Sequence, residues 1–101
     1  MQGVTMQDVA ALKDRVRHTV DVWAARLWEA SLAIHRTPEL GYQEFRTAET
    51  LCALLAEGGL RVEQGIAEMP TAFRATVRGA RRSRAVALLA EMDALPELGH
   101  A

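Results

Sequence analysis

The chain has 101 residues, half of them hydrophobic, so it holds one small domain at most. Twelve basic and thirteen acidic residues leave a net charge of −1, which argues against a nucleic-acid or acidic-membrane partner. No stretch approaches the roughly 18 apolar residues of a membrane span, and the first residues lack the pattern of a secretory signal. The one cysteine, Cys52, excludes an internal disulfide, so we expect a reducing, cytoplasmic setting.

The first predicted element is a long helix from about Gln7 to His35. Thr5 and Asp8 resemble a capping box at its start, and the helix ends before Pro38, because the residue preceding a proline avoids the α conformation. Apolar residues recur every three or four positions along one helix face: Val9, Leu12, Val16, Val20, Trp23, Leu27, Ala30 and Ile34.

A polar connector, residues 35–44, separates this helix from a second one. Four of its side chains could line a site: His35, Glu39, Tyr42 and Glu44. Taken singly, each is more simply a loop residue, with Glu44 or Thr47 capping the helix that follows.

The second helix is predicted from about Glu44 to Glu57, and Gly58-Gly59 is a strong stop signal because glycine adopts the left-handed cap without steric cost. Its apolar face includes Cys52, which indicates a buried, inert thiol rather than a nucleophile.

Beyond the second helix the apolar period changes from 3.6 to 2, which predicts strands near 60–66 and over 71–78. The apolar run 85–90 opens a third strand, 85–91, predicted to be buried on both faces and to form an antiparallel hairpin with 71–78. The turn between them carries four arginines that indicate a solvated hairpin tip rather than a nucleic-acid patch: Arg78, Arg81, Arg82 and Arg84. The fold class is therefore α/β, with two helices and then three strands, and the sheet is incomplete.

Two carboxylates, Glu91 and Asp93, follow the apolar run. Residues two apart on a strand point to the same side, so the pair suits a metal site or an acid/base pair. His100 adds a candidate nitrogen ligand. Taken alone, each of the three is more simply a surface residue.

Four segments, taken together and in order, resemble one protein family. The chain is similar, from about Leu12 onward, to the N-terminal part of the dinuclear zinc amidohydrolases, the aminoacylase and carboxypeptidase relatives of peptidase clan MH. The p-aminobenzoyl-glutamate hydrolase and β-alanyl-lysine dipeptidase branch is the most similar. The segments are Ile34-His35-Arg36-Thr37-Pro38-Glu39-Leu40-Gly41-Tyr42-Gln43-Glu44, Pro70-Thr71-Ala72-Phe73-Arg74-Ala75, Leu89-Ala90-Glu91-Met92-Asp93-Ala94-Leu95-Pro96 and Gly99-His100-Ala101.

The resemblance implies an α/β zinc-binding catalytic domain, interrupted in the family by a smaller dimerisation domain. It implies hydrolysis of an amide bond in an N-acyl amino acid or dipeptide-like small molecule, with two divalent ions, zinc or manganese, as cofactors. It also implies an enzyme that is often homodimeric, with no nucleic-acid or membrane partner.

Asp93 matches the family aspartate that supports the metal site without binding the ion. Glu91 stands where some relatives have a metal-binding histidine, and no ligand role is carried over to it. His100-Ala101 resembles the start of His-Ala-Cys-Gly-His, whose cysteine and second histidine bind metal.

We therefore expect residues 1–101 to be the N-terminal part of the catalytic domain, truncated before the metal-ligand segment. We expect it to be inactive alone and to bind no metal tightly. The alternative is a non-catalytic α/β interaction module derived from the same fold. A small metal site made of Glu91, Asp93 and His100 alone ranks lowest.

Overall fold

The computed structural model describes residues 3–81 and 84–97. In chain order it contains helix α1 (Met6–Arg36), helix α2 (Phe45–Glu57), strand β1 (Arg61–Gln64), a single 3₁₀ turn (Ile66–Glu68) and strand β2 (Phe73–Thr76). The chain forms two compact units, Met1–Leu32 and Ala33–Ala101. Along the described residues, we find no helix with the length and apolarity needed to cross a membrane.

The first unit consists of α1, which continues into the second unit for its last turn. The predicted capping box is confirmed: the Asp8 N–H donates to the Thr5 hydroxyl at 3.1 Å, and the Thr5 N–H donates to the Asp8 carboxylate at 3.0 Å. The helix bounds agree with the prediction to within one residue at each end. None of its described residues is buried. Trp23, Ala30 and Ile34 of the apolar stripe are half-buried, and the other five stripe residues are exposed, so the stripe is not part of a core.

The second unit has a small core at the contact between α2 and the sheet. Its buried side chains are Thr47, Ala48, Cys52 and Thr71. The predicted glycine stop of α2 is confirmed as a Schellman motif, in which the Gly59 N–H donates to the Ala56 carbonyl and the Leu60 N–H to the Leu55 carbonyl, both at 3.0 Å. The left-handed residue is Gly59, with φ of 90°, whereas Gly58 keeps a helical φ of −75°.

Strands β1 and β2 pair antiparallel, with Arg61 opposite Thr76 and Gln64 opposite Phe73. The two strands predicted near 60–66 and over 71–78 are therefore present, although each is shorter than predicted. The predicted hairpin between 71–78 and 85–91 is wrong, because the sheet of the described residues has only the strands β1 and β2, and residues 85–91 form no strand.

The predicted third strand is also absent from the described residues. Residues 84–95 have no regular secondary structure, and Val86, Leu88 and Leu89 are 90%, 95% and 97% exposed. A wholly apolar strand is stable only between neighbouring strands and covering layers, and the described part of the chain supplies neither to this run. Of the predicted basic turn, Arg78, Arg81 and Arg84 are exposed, and Arg82 lies outside the described residues.

Candidate functional site

The N-terminus of α2 is capped by a side chain from the connector before it. One Glu39 carboxylate oxygen, Oε1, accepts hydrogen bonds from the Thr47 N–H at 2.6 Å and the Thr47 hydroxyl at 2.7 Å. The other oxygen, Oε2, accepts the Arg46 N–H at 3.0 Å. Glu39 thereby satisfies two backbone donors that the first turn of a helix leaves without intrahelical partners.

The predicted cap by Glu44 or Thr47 is therefore wrong. Glu44 occupies the N-cap position, but its side chain makes no capping hydrogen bond. Its Oε1 instead accepts the Thr71 hydroxyl at 3.4 Å, while Thr47 acts as a donor to Glu39. Sequence patterns place a capping side chain next to the helix start or three residues from it, so a cap contributed from seven and eight residues upstream has no such signature.

The pKa of Glu39 is lowered by these contacts. The Thr47 hydroxyl contributes most, followed by the Thr47 N–H; desolvation opposes the shift, and the Arg46 N–H and guanidinium add smaller contributions. Glu39 is therefore ionised at neutral pH, and both its oxygens are engaged. This arrangement suits a structural anchor and not a proton donor.

The backbone of Glu39 connects this cap to the segment that contains Asp93. The Glu39 carbonyl accepts the Ala94 N–H at 2.7 Å. A Cβ built on Gly41 would lie 3.8 Å from Oδ2 of Asp93, so the Asp93 carboxylate lies beside the residue that has no side chain. Asp93 itself is exposed.

One of the four segments that carry the family resemblance, the connector, thus contacts two of the others within the second unit. The connector binds the Asp93 segment through Glu39 and the 70–75 segment through the Glu44–Thr71 hydrogen bond. Thr71 is only 5% exposed, which makes this bond part of the small core. The fourth segment, at 99–101, lies outside the described residues.

The remaining predicted site residues lie at the surface or outside the described part of the chain. His35, Tyr42 and Glu91 are exposed, and His100 lies outside the described residues, so the site built from Glu91, Asp93 and His100 stays a prediction. Within residues 3–81 and 84–97, no group of three or more histidine, cysteine, aspartate or glutamate side chains could hold a metal ion. These residues alone therefore do not fit the two divalent ions that the resemblance implies.

Cys52 is a buried thiol, as predicted. It is 4% exposed on α2 and forms no disulfide, and desolvation raises its pKa. A thiol with a raised pKa is protonated at neutral pH and a poor nucleophile.

A cavity of about 280 Å³ lies beside the Glu39 cap, between the last turn of α1 and α2. Its lining consists of Ala33, Ile34, Thr37, Arg46, Thr47, Glu49 and Thr50. Arg46 and Thr47 belong to both the cavity and the cap, whereas Asp93 is not part of the lining. Sequence reasoning did not identify Thr47 as a partner of Glu39 or Gly41 as a neighbour of Asp93.

Comparisons with known proteins identify relatives over most of the chain. The chain is 38% identical over 91 residues to Thermostable carboxypeptidase 1 of Saccharolobus solfataricus, and the aligned region covers 90% of this chain and 22% of the relative. It is 36% identical over 105 residues to Xaa-Arg dipeptidase of Mus musculus, covering 93% and 24%. It is 38% identical over 66 residues to N-acetyldiaminopimelate deacetylase of Oenococcus oeni, covering 62% and 17%.

The chain spans about a fifth of the length of the curated relatives it matches. No family model and no solved structure matches it. The names of the relatives, two peptidases and a deacetylase, support a family of peptidases and amidohydrolases that hydrolyse amide bonds.

Proposed function

We propose that residues 1–101 supply the N-terminal part of the catalytic domain of a metal-dependent amidohydrolase or peptidase. The enzyme hydrolyses an amide bond in an N-acyl amino acid or a dipeptide-like substrate, and the chain alone is inactive. The observation that carries the proposal is the contact between the Glu39–Gly41 turn and the Asp93–Ala94 segment, which brings two of the resembling segments together. The peptidase and deacetylase names of the relatives support it.

In this proposal Asp93 supports the catalytic site without binding an ion itself. The Asp93 carboxylate is exposed, and the backbone of this segment is fixed by the hydrogen bond from Ala94 to Glu39. A carboxylate held in this way is suited to orienting a neighbouring group. The zinc or manganese ligands, and the glutamate that serves as general base in the family that the chain resembles, are proposed to lie outside residues 3–81 and 84–97, because these residues do not fit a metal pair. The p-aminobenzoyl-glutamate hydrolase and β-alanyl-lysine dipeptidase branch, the homodimer and the cytoplasmic location belong to the same proposal.

A chimera tests this function. The matching segment of Thermostable carboxypeptidase 1 is replaced by residues of this chain, and carboxypeptidase activity and bound metal are measured. We expect an active chimera, in which Asp93→Asn lowers activity by about 10- to 100-fold, the range seen for residues that orient metal ligands. Asp14→Asn, the same chemical change on α1, is the control and keeps activity.

Circular dichroism establishes whether each chimera is folded. A folded but inactive parent chimera contradicts the proposal that this segment serves a hydrolase. An active parent whose Asp93→Asn variant is equally active contradicts the role of Asp93. Hydrolysis by the 101-residue chain alone contradicts its proposed inactivity.

The second candidate function is a non-catalytic interaction module. The observation in its favour is the nearly complete exposure of Val86, Leu88 and Leu89, which presents an apolar strand-like segment to a partner. A soluble 101-residue chain with a cooperative unfolding transition supports this function, and an insoluble or molten product contradicts it.

A further inference from the structure

We propose that Glu39 is the positioning residue for Asp93: through its anchored side chain and its main-chain carbonyl, it holds the Asp93–Ala94 segment on the connector between the helices. The inference rests on the proposed function, because it assigns Asp93 a role in the hydrolase site. It goes further by naming a residue on which the location of Asp93 depends.

The first step of the argument is the anchoring of the Glu39 side chain. Three hydrogen bonds of 2.6–3.0 Å join its carboxylate to the first turn of α2, two of them from Thr47. Thr47 is 2% exposed, so this end of the contact lies in the core. A glutamate bonded in this way to a helix terminus has little rotational freedom, and its backbone is held with it.

The second step is the direction of the Glu39 carbonyl. With the side chain bound to α2, the carbonyl is left to accept the Ala94 N–H at 2.7 Å. A turn begins at the next residue and leads the chain back to α2. It is closed by a 2.9 Å hydrogen bond from the Gln43 N–H to the Leu40 carbonyl. Residue 39 is therefore held both by its side chain and by the turn that follows it.

The third step concerns Asp93. Asp93 and the preceding run 84–90 are exposed, and its neighbours Met92 and Ala94 are only half-buried, so packing holds this segment less firmly than the core of the second unit. The described contacts that locate it are the Glu39–Ala94 hydrogen bond at the adjacent residue and the approach of its carboxylate to Gly41. Loosening residue 39 thus releases Asp93 from the connector.

Glu39 is a positioning residue rather than a catalytic one. Its Oε1 accepts two hydrogen bonds and its Oε2 accepts one, all from α2. Its contact with the Asp93 segment is made by the main chain, so substitution of the side chain acts on Asp93 only through the backbone.

The test uses the 101-residue chain, labelled with ¹⁵N, and follows the amide of Ala94 by NMR. In Glu39→Ala we expect exchange of the Ala94 amide hydrogen to be faster by roughly tenfold or more, because its acceptor is no longer held in place. The amide signals of Gly41 and Asp93 should shift as well. Glu39→Gln keeps one carbonyl oxygen for Thr47, so its Ala94 amide hydrogen should exchange more slowly than in Glu39→Ala.

Two control variants separate positioning from a general loss of stability. Glu49→Gln removes a different glutamate charge, on α2 itself, and should leave the Ala94 amide unchanged. Gly59→Ala destabilises α2 at its opposite end without touching Glu39. If Ala94 exchanges as fast in Gly59→Ala as in Glu39→Ala, Glu39 acts only through helix stability and the proposal is overturned.

An unchanged Ala94 signal in both folded Glu39 variants also overturns it. Should Glu39→Ala fail to fold, Glu39→Gln and Gly59→Ala still give the comparison. These readouts involve no hydrolysis, so they are independent of the chimera assay. If NMR confirms the positioning but the parent chimera is folded and inactive, the proposed function is refuted and the Glu39–Ala94 relationship stays intact. A fully active Asp93→Asn chimera would contradict only the role of Asp93 in the hydrolase.

Discussion

The main-chain carbonyl of Glu39 accepts a 2.7 Å hydrogen bond from the backbone N–H of Ala94. The same residue uses its carboxylate to cap α2, so one glutamate joins a helix N-terminus to the segment that carries the candidate site residue Asp93.

The lowered pKa of Glu39 makes the stability of the second unit depend on pH. The ordinary pKa is 4.5 and the folded value is lower, so the stabilisation is fully present above 4.5 and is lost as the pH falls through the folded pKa. Urea unfolding from neutral pH to about pH 3 should therefore show a decline in the free energy of unfolding. Glu39→Gln should flatten the decline over this range.

Asp8 has a lowered pKa of the same sign, caused first by the Thr5 N–H and then by the Thr5 hydroxyl. Asp8→Asn therefore serves as a comparison, because it alters the pH dependence of α1 and leaves that of α2 in place. Equal pH dependence in the wild-type chain and in Glu39→Gln would show that the cap contributes nothing to it.

Removal of the Thr47 hydroxyl should destabilise the second unit. Thr47→Val keeps the shape of a side chain that is 2% exposed but removes the 2.7 Å hydrogen bond to the Glu39 carboxylate. We expect the free energy of unfolding to fall by about 1.5 kcal/mol, as for a hydrogen bond to a charged group. Thr76→Val, at an exposed position of β2, is the matched control and should change it by less than about 0.5 kcal/mol.

The two glycines after α2 should respond differently to alanine. Gly59 has a φ of 90°, so Gly59→Ala forces a Cβ into the left-handed region and should cost about 1–2 kcal/mol of unfolding free energy. Gly58 has a helical φ, and its added Cβ would meet no atom closer than 3.5 Å, so Gly58→Ala should be neutral or slightly stabilising. Chemical denaturation of both variants decides the matter; equal effects would contradict the Schellman assignment.

The exposed run around Leu88 and Leu89 should promote self-association of the isolated chain. Leu88→Asp and Leu89→Asp place charges where the side chains are 95% and 97% exposed. We expect less association in sedimentation velocity and less binding of a hydrophobic dye, with the unfolding free energy changed by less than about 0.5 kcal/mol. Ala48→Asp, which buries a carboxylate in the α2 core, should instead unfold the second unit. A large stability loss in the leucine variants would indicate that the run is packed in solution.

Local features of this protein could be predicted from the sequence. The bounds of α1 and α2, the Thr5–Asp8 capping box, the stop at Gly58-Gly59 and the burial of Cys52 all agree with the structure. Helix period, the Thr5–Asp8 capping box and the glycine stop depend on residues within about five positions of one another, so the sequence carries their full signal. The family resemblance is likewise a property of ordered local segments, and the relatives support it at the level of peptidases and amidohydrolases.

Only the tertiary structure decided which distant residues meet. Nothing in the order of residues indicated that Glu39, rather than Glu44, caps α2, or that its carbonyl binds Ala94, because these contacts depend on how the connector folds back. The prediction of a third strand was wrong for the same physical reason. An apolar run such as 85–90 becomes a strand only when other strands and covering helices surround it. Strand formation is thus decided by non-local partners, whereas the bounds of the two helices are specified by residues within them and close to their ends.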